Sequence, residues 1–475
     1  GAFTTLSASG AVSGAGFTNY MASPPAIGGS TPAAGYFTTI NGTAIRATTS
    51  INNRGLDNAS ATNSGFGEGV LAALAGGTNN TAVGNGALAA NTTAFNNSAL
   101  GYASLAAATS GSQNTAVGSG ALNALTTGLS NIAVGFQSLY QSVYGAYNVG
   151  IGDSALYNTG KTVTAGSFVI GASYTIVSSG STNFSAVGAA NNNPGTIFTA
   201  TGVGSGTGTA ASNTSYNVGI GQQSLETNIT GTENSAIGYL SLNANVNGSY
   251  NAVVGKRAMA ANKFGSYNVA IGSDALDVAG SLVAAGSFVT GVSYSIFSAG
   301  TTDFTLIGAA NNNYGTVFTA SGVGVGTGTA APNANYNVVI GADAAGTISG
   351  GTNNTIIGAT ADTGANLTNT TALGYGATAT ASNQVKLGNA SVTEVTTAGK
   401  LQILSGTAVP AGGTAGAGLR FSSTANLGVF FGSGVPTLAA AQGSLYLRTD
   451  GSSTSTRAYI NTDGATTWTA VTTAT

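Results

Sequence analysis

A glycine preceded by an aliphatic residue returns every 17 residues, and this period confines the chain to stacked, repeating architectures. The series runs Gly84, Gly101, Gly118, Gly135, Gly152, resumes at Gly221, Gly238, Gly255, Gly272, and again at Gly341 and Gly358, before shortening to Gly374 and Gly388. Counting that glycine as position 0, position −1 is always aliphatic (Val83, Val117 and their equivalents). Position −4 is Asn in the first eleven copies (Asn80, Asn114, Asn251 and Asn268 among them), and position +4 is Leu or Met in the first nine (Leu88, Leu122). A second glycine is common at +10, as at Gly111 and Gly128.

The two gaps keep the period. Gly152 to Gly221 and Gly272 to Gly341 are each 69 residues, one 17-residue repeat carrying an insertion of 52. The insertions are duplicates: residues 165–210 and 285–330 match at 32 of 46 positions.

A stretch such as Asn114-Thr115-Ala116-Val117-Gly118 is too short for a helix and rich in small and β-branched residues, so it reads as a short strand ended by a glycine corner. One repeat is then one coil, and stacked coils pair as parallel strands ~4.8 Å apart, giving thirteen coils a length on the order of 60 Å. The reading places the aliphatics at −1 and +4 in columns inside the coils and stacks the −4 asparagines into a hydrogen-bonded ladder. Each coil holds few large apolar side chains, so partner chains are expected to cover an exposed face, a threefold bundle being the simplest form. A single-chain helix of hexapeptides would need 18 residues per coil and does not fit.

The repeat Asn-Thr-Ala-Val-Gly-x-x-Ala-Leu-x-x-x-Thr-Thr-Gly resembles the repeat of bacteriophage tail fibres, and is similar to the repeat in heads of trimeric autotransporter adhesins. Residues 79–160 and 215–280 carry it best, and Asn383-to-Val395 resembles the usual end of such phage repeats. Gly35-to-Ile40, echoing Gly1-to-Leu6, resembles a fibre shaft. The resemblance implies an all-β, elongated parallel homotrimer of left-handed β-roll (solenoid) coils, with two inserted β modules and a C-terminal β tip. No sustained heptads and no terminal barrel-like strands are found, which favours phage fibre over adhesin passenger head.

The expected organisation is a shaft or linker at 1–65, repeats at 66–160, 213–280 and 333–400 (the last with a neck), insertions at 161–212 and 281–332, and the tip at 401–475. Phe66-to-Ala75 reads as a short helix leading into the first coil. Within the insertions Ser167-to-Ile176, Asn183-to-Val187 and Thr196-to-Thr201 read as strands, and the modules are expected to project from the rod. The tip shows strand–turn–strand–turn–strand over Leu445-to-Arg448, Arg457-to-Asn461 and Thr467-to-Val471. Its Trp468, Tyr446, Arg448 and Arg457 are candidate receptor contacts, with core packing the plainer role for Trp468.

Composition removes several chemistries. There is no His and no Cys, so no imidazole or thiolate can act as base, nucleophile or metal ligand. Eleven basic and thirteen acidic residues in 475 make a poor match for a phosphate backbone, and nucleic acid is not an expected partner. No run of eighteen apolar residues is present, so membrane insertion as a helix is not expected. The start, without basic or apolar leader regions, reads as an internal or processed end. The glycines at 204, 206 and 208 lack the Lys and helix of a phosphate loop. Asp274 with Asp277, and Glu226 with Glu233, fall in single coils but vary between copies, a weak basis for a glycosidase pair. Tyr140, Tyr144, Tyr147, Tyr157, Tyr216, Tyr250 and Tyr267 fall on corners, as seam covers or, less readily, sugar contacts. The expectation is a non-enzymatic, cofactor-free virion or extracellular fibre. Its partners would be two further copies, other virion tail proteins, and a host-surface glycan or protein. A tailspike depolymerase is the remaining alternative.

Overall fold

The structure is a computed structural model and describes residues 62–392, 394–395, 418–420 and 427–472. The expected shaft up to residue 61, and most of 396–426, lie outside the described residues. The chain forms two units, one ending at Ser391 and the other starting at Val392.

In the first unit, three-residue strands from successive repeats pair side by side in one 14-stranded parallel sheet, from Ser64–Phe66 to Val385–Leu387. Register follows the period: Thr115, Ala116 and Val117 face Ile132, Ala133 and Val134. The two gaps are bridged as the spacing requires. Val149–Ile151 pairs directly with Val218–Ile220, and Val269–Ile271 with Val338–Ile340, so the sheet passes each insertion without a break.

Residues 66–75 are not a helix. Ser64–Phe66 is the first strand of a further coil, Gly67 takes position 0, and Leu71 at +4 is fully buried. Phe66 in place of an aliphatic hid this coil from the pattern, though Asn63 stands at −4 and its Nδ2 donates to Gly77 O at 2.8 Å.

Each coil turns on its position-0 glycine. Gly101 has φ +138°, and a Cβ there would stand 2.5 Å from the carbonyl oxygen of Gly118 in the next coil. Both the dihedral and the close approach of backbones exclude a side chain. Two residues later and four residues later the chain enters the left-handed region again, in the latter case with a leucine: Leu105 and Leu122 have φ near +50°. This costs a non-glycine residue of order 1 kcal/mol. The conformation is held because each leucine side chain is fully buried and its N–H bonds to the next coil, Leu105 N to Ala121 O at 3.0 Å.

One expectation about the interior is overturned. The aliphatics at −1 do not face inward. The strand alternates, so the middle residue at −2 (Ala82, Ala99, Ala116, Val253, Ile356) is buried and its neighbours at −3 and −1 point out. The core is therefore narrow: small residues at −2, leucines at +4, and asparagines at −4.

The two insertions share one fold. Each is a four-stranded antiparallel sheet, in the first Thr162–Thr164, Thr209–Ser212, Ser173–Ser178 and Ile197–Thr199 in spatial order. Phe184–Val187 is a 3-10 turn, not a strand, and Ser167-to-Ala172 is turn rather than strand. Each core is aromatic, Phe168, Tyr174, Phe184 and Phe198 in the first and Phe288, Tyr294, Phe304 and Phe318 in the second. The second module does not stand clear of the coils. Its Phe297 and Tyr314 pack on Phe264, with Val246 and Ile229 of the preceding coils beneath them.

In the second unit Leu445–Arg448, Ala458–Asn461 and Trp468–Val471 form the antiparallel run that their sequence suggested. Gly428–Gly432 adds to it in parallel beside Leu445–Arg448, and Gly418–Arg420 closes the sheet.

Candidate functional site

The alternation that buries position −2 turns two columns of side chains outward along the whole 14-stranded sheet. At −1 these are aliphatic: Leu100 is 51% exposed, Ile237 41%, Val254 42% and Ile271 41%. The −3 column adds Ile132, Val149, Val218, Val269 and Val338. At ~4.8 Å per strand this apolar face runs roughly 60 Å, far larger than the patches a monomeric surface normally shows.

Tyrosines border it. Position −5 carries Tyr147, Tyr216, Tyr250, Tyr267 and Tyr336, each with φ near +60°. In register, their rings stack nearly parallel: Tyr147 on Tyr216 at 5.0 Å, Tyr250 on Tyr267 at 4.8 Å, Tyr267 on Tyr336 at 4.9 Å. Tyr140 and Tyr157 form a similar pair at 5.3 Å. Glu233 takes the same position between Tyr216 and Tyr250, and its hydrogen bond and charge raise the Tyr250 phenol above its ordinary pKa. A sugar ring stacks on a free aromatic face. Within each stack the facing rings cover one another, which suits these tyrosines to a packing seam, although each stays about half exposed. Tyr144 stands outside the stacks, half-buried, and burial raises its pKa.

The conserved-spacing residues Asn80, Asn114, Asn251 and Asn268 are buried, as are Leu88 and Leu122. The asparagines form the expected ladder. Asn114 Nδ2 donates to Asn97 Oδ1 at 3.2 Å and to Gly128 O at 3.0 Å. Gly84, Gly118, Gly255 and Gly272 hold the corners, while Val83 and Val117 lie on the outer face. A second, unforeseen ladder occupies position +7: Asn262 Nδ2 donates to Asn245 Oδ1 at 2.9 Å, and Asn245 Nδ2 to Asn228 Oδ1 at 2.8 Å. Its signal was present as Asn228, Asn245 and Asn262 at the same period.

The four tip candidates part company. Tyr446 is fully buried. Trp468 packs edge-on against Phe430 and Tyr446, and its Nε1 donates to Leu438 O at 2.9 Å. Arg448 forms a two-pronged pair with Asp450, Nε to Oδ1 and Nη2 to Oδ2 both at 2.9 Å. This pairing holds the Asp450 carboxyl down at about 2, with help from Gly434 N–H. Arg457 is exposed.

The acids of the coils are placed as ties. Arg257 Nε meets Asp274 Oδ1 at 2.9 Å and its Nη2 meets Asp277 Oδ2 at 3.3 Å, so one guanidinium links two coils. Burial, and then the charge of Asp274, raise Asp277, with Arg257 opposing. Glu226 accepts from Asn243 Nδ2 at 3.0 Å. Asp303 caps the 3-10 turn Phe304–Ile307, accepting from Thr305 N at 3.1 Å. In the glycine loop of the first module, Thr207 N and Gly208 N donate to Ser181 Oγ and Thr182 Oγ1, so those donors are spent within the module.

No helix among the described residues is long and apolar enough to cross a membrane. No protein-family model matches this chain, and no curated protein matches it.

Proposed function

We propose that this protein is a structural and adhesive fibre of a bacteriophage tail, in which three chains lay the apolar faces of their solenoids together as left-handed β-rolls. The observation that carries the reading is the outward aliphatic column at position −1, kept through every repeat from Val83 to Leu387 although it fills no core of its own chain. Burying such a face against two identical neighbours removes it from water, and in-register coils place the same residue of each chain at the same height. The fibre would hold its modules and tip toward a host surface. Three copies of a weak site then gain avidity without any new contact.

Light scattering on the purified protein tests the assembly: three times the 45.7 kDa chain is expected, and a stable folded monomer overturns it. Labelled protein that binds saturably to one bacterial host and not to unrelated strains supports attachment.

A further inference from the structure

The two modules are near-copies, so the positions where they differ are informative. Their aromatic cores are identical residue for residue. Between them, floored by Ile229 of the coils, lies a cleft of about 550 Å³. The first module contributes Lys161, Thr162 and Thr164 to its wall, and the second contributes Phe297 and Tyr314. The equivalents in the opposite copy are Ser281, Leu282, Ala284, Val177 and Pro194, none of which borders this cleft. Where the copies meet, the chain has thus placed a cation, two hydroxyls and two aromatic rings, and elsewhere it keeps smaller or plainly apolar residues.

Val169 also lines a second hollow of about 360 Å³, which shares Ile170 and Asn247 with a third of about 340 Å³; their walls carry hydroxyls and carboxamides of the coils, among them Thr230, Ser249 and Asn335. Lys161 makes no ion pair among the described residues, and Lys263, outside the cleft lining, stands 5.7 Å over the Phe297 ring.

We propose that this groove binds an oligosaccharide carrying carboxylates. The ligand must be elongated to reach across three neighbouring hollows and rich in hydroxyls to answer amides and hydroxyls. It also needs an apolar ring face for Phe297 and Tyr314, and an anion for Lys161. An acidic glycan chain meets all four. The inference rests on the attachment reading and names the site and ligand class for it.

The test titrates the full-length protein calorimetrically with a galacturonic acid hexamer, a sialic acid hexamer and, as neutral control, maltohexaose. Two variants use residues the twin module carries at the equivalent place, Lys161→Ser and Tyr314→Pro, and circular dichroism checks that each remains folded. At least one acidic hexamer should bind more tightly than maltohexaose and lose about tenfold or more in each variant. Failure of both acidic hexamers, or affinity unchanged in both variants, overturns the groove. Host cells separate this from the wider reading. Equal staining by wild type and both variants removes the groove and leaves attachment, whereas hexamer binding without any cell staining keeps the groove and removes attachment.

Discussion

Asn114 Oδ1 accepts two hydrogen bonds from Asn131 of the next coil, from its backbone N–H at 2.9 Å and from its Nδ2 at 3.1 Å. Asn131 Nδ2 also donates to Gly145 O at 2.9 Å, closing its own coil, while its Oδ1 receives Asn148 from above. One side chain therefore satisfies groups in three coils, in a place water does not reach.

Asn131→Ala should accordingly destabilise the solenoid by about 3 kcal/mol, because it strands the buried Asn148 N–H and Gly145 carbonyl. Asn131→Thr should cost roughly half of that. The chain makes this substitution itself at the last rung, where Thr370 N and Oγ1 both donate to Asn354 Oδ1. Urea unfolding followed by circular dichroism gives the comparison; equal losses for the two variants would count against the ladder.

Two glycines two coil positions apart in role, though both at positive φ, should respond differently to alanine. Gly101→Ala drives a Cβ to 2.6 Å from the carbonyl carbon of Gly118, and about 3 kcal/mol or more should be lost as the coils part. Gly86 has φ +69° with nothing within 4 Å of its Cβ position, and Ala103 and Gln137 hold the equivalent place in later coils. Gly86→Ala should cost about 1 kcal/mol at most. Melting temperatures of the two variants, measured side by side, decide it.

The period, the coil, the corner glycine and the ladder were legible because each depends on one residue type recurring at one spacing. What the repeat does not encode is which side of a strand faces in. Thr115-Ala116-Val117 alternates equally well either way, and burying Val117 looks natural until the width of the coil is known. Leu122 already fills that width, leaving room for Ala116 only. The first coil was hidden by a single aromatic, Phe66. The groove could not be read at all, because Lys161, Ile229, Phe297 and Tyr314 are brought together only by the way the second module leans on the coils.

A charge on the outer face should report on assembly without touching the interior. Val254 is 42% exposed and sits mid-sheet, with Val253 beside it filling the core. Val254→Lys should leave the coil folded; in the proposed threefold bundle it would place three ammonium groups at one height of the seam and weaken association by about two orders of magnitude. Sedimentation equilibrium of variant and parent side by side should show a lower mass for the variant at concentrations where the parent associates. An unchanged mass would mean the face is covered in some other way.

Acid should loosen the tip before the solenoid. Asp450 ionises at about 2 in the folded tip against 3.8 ordinarily, chiefly through the Arg448 pair. A depressed carboxyl stabilises the fold above its unfolded pKa and loses that contribution as the pH falls through the folded one. The change is thus confined to roughly pH 4 down to 2. Trp468, the only tryptophan and packed in the same unit, provides the fluorescence signal. Asp450→Asn should flatten the curve in that window.

The first module should be removable. Its core is its own, built on Phe168, Tyr174, Phe184 and Phe198, and none of the solenoid's buried leucines belongs to it. Deleting residues 161–212 joins Gly160 to Asn213 and restores a 17-residue coil in which Val149–Ile151 still pairs with Val218–Ile220. Asn148 Nδ2 keeps its acceptor, Thr214 O, because Thr214 lies beyond the cut. The shortened protein should therefore retain the far-ultraviolet spectrum of a β-solenoid and melt within a few degrees of the parent, since a loss of about 1 kcal/mol is all that surface contacts with the neighbouring module would impose. It should at the same time lose affinity for acidic hexamers, as Lys161, Thr162 and Thr164 leave with the module. Collapse of the whole spectrum on deletion would show instead that the coils depend on the module to close.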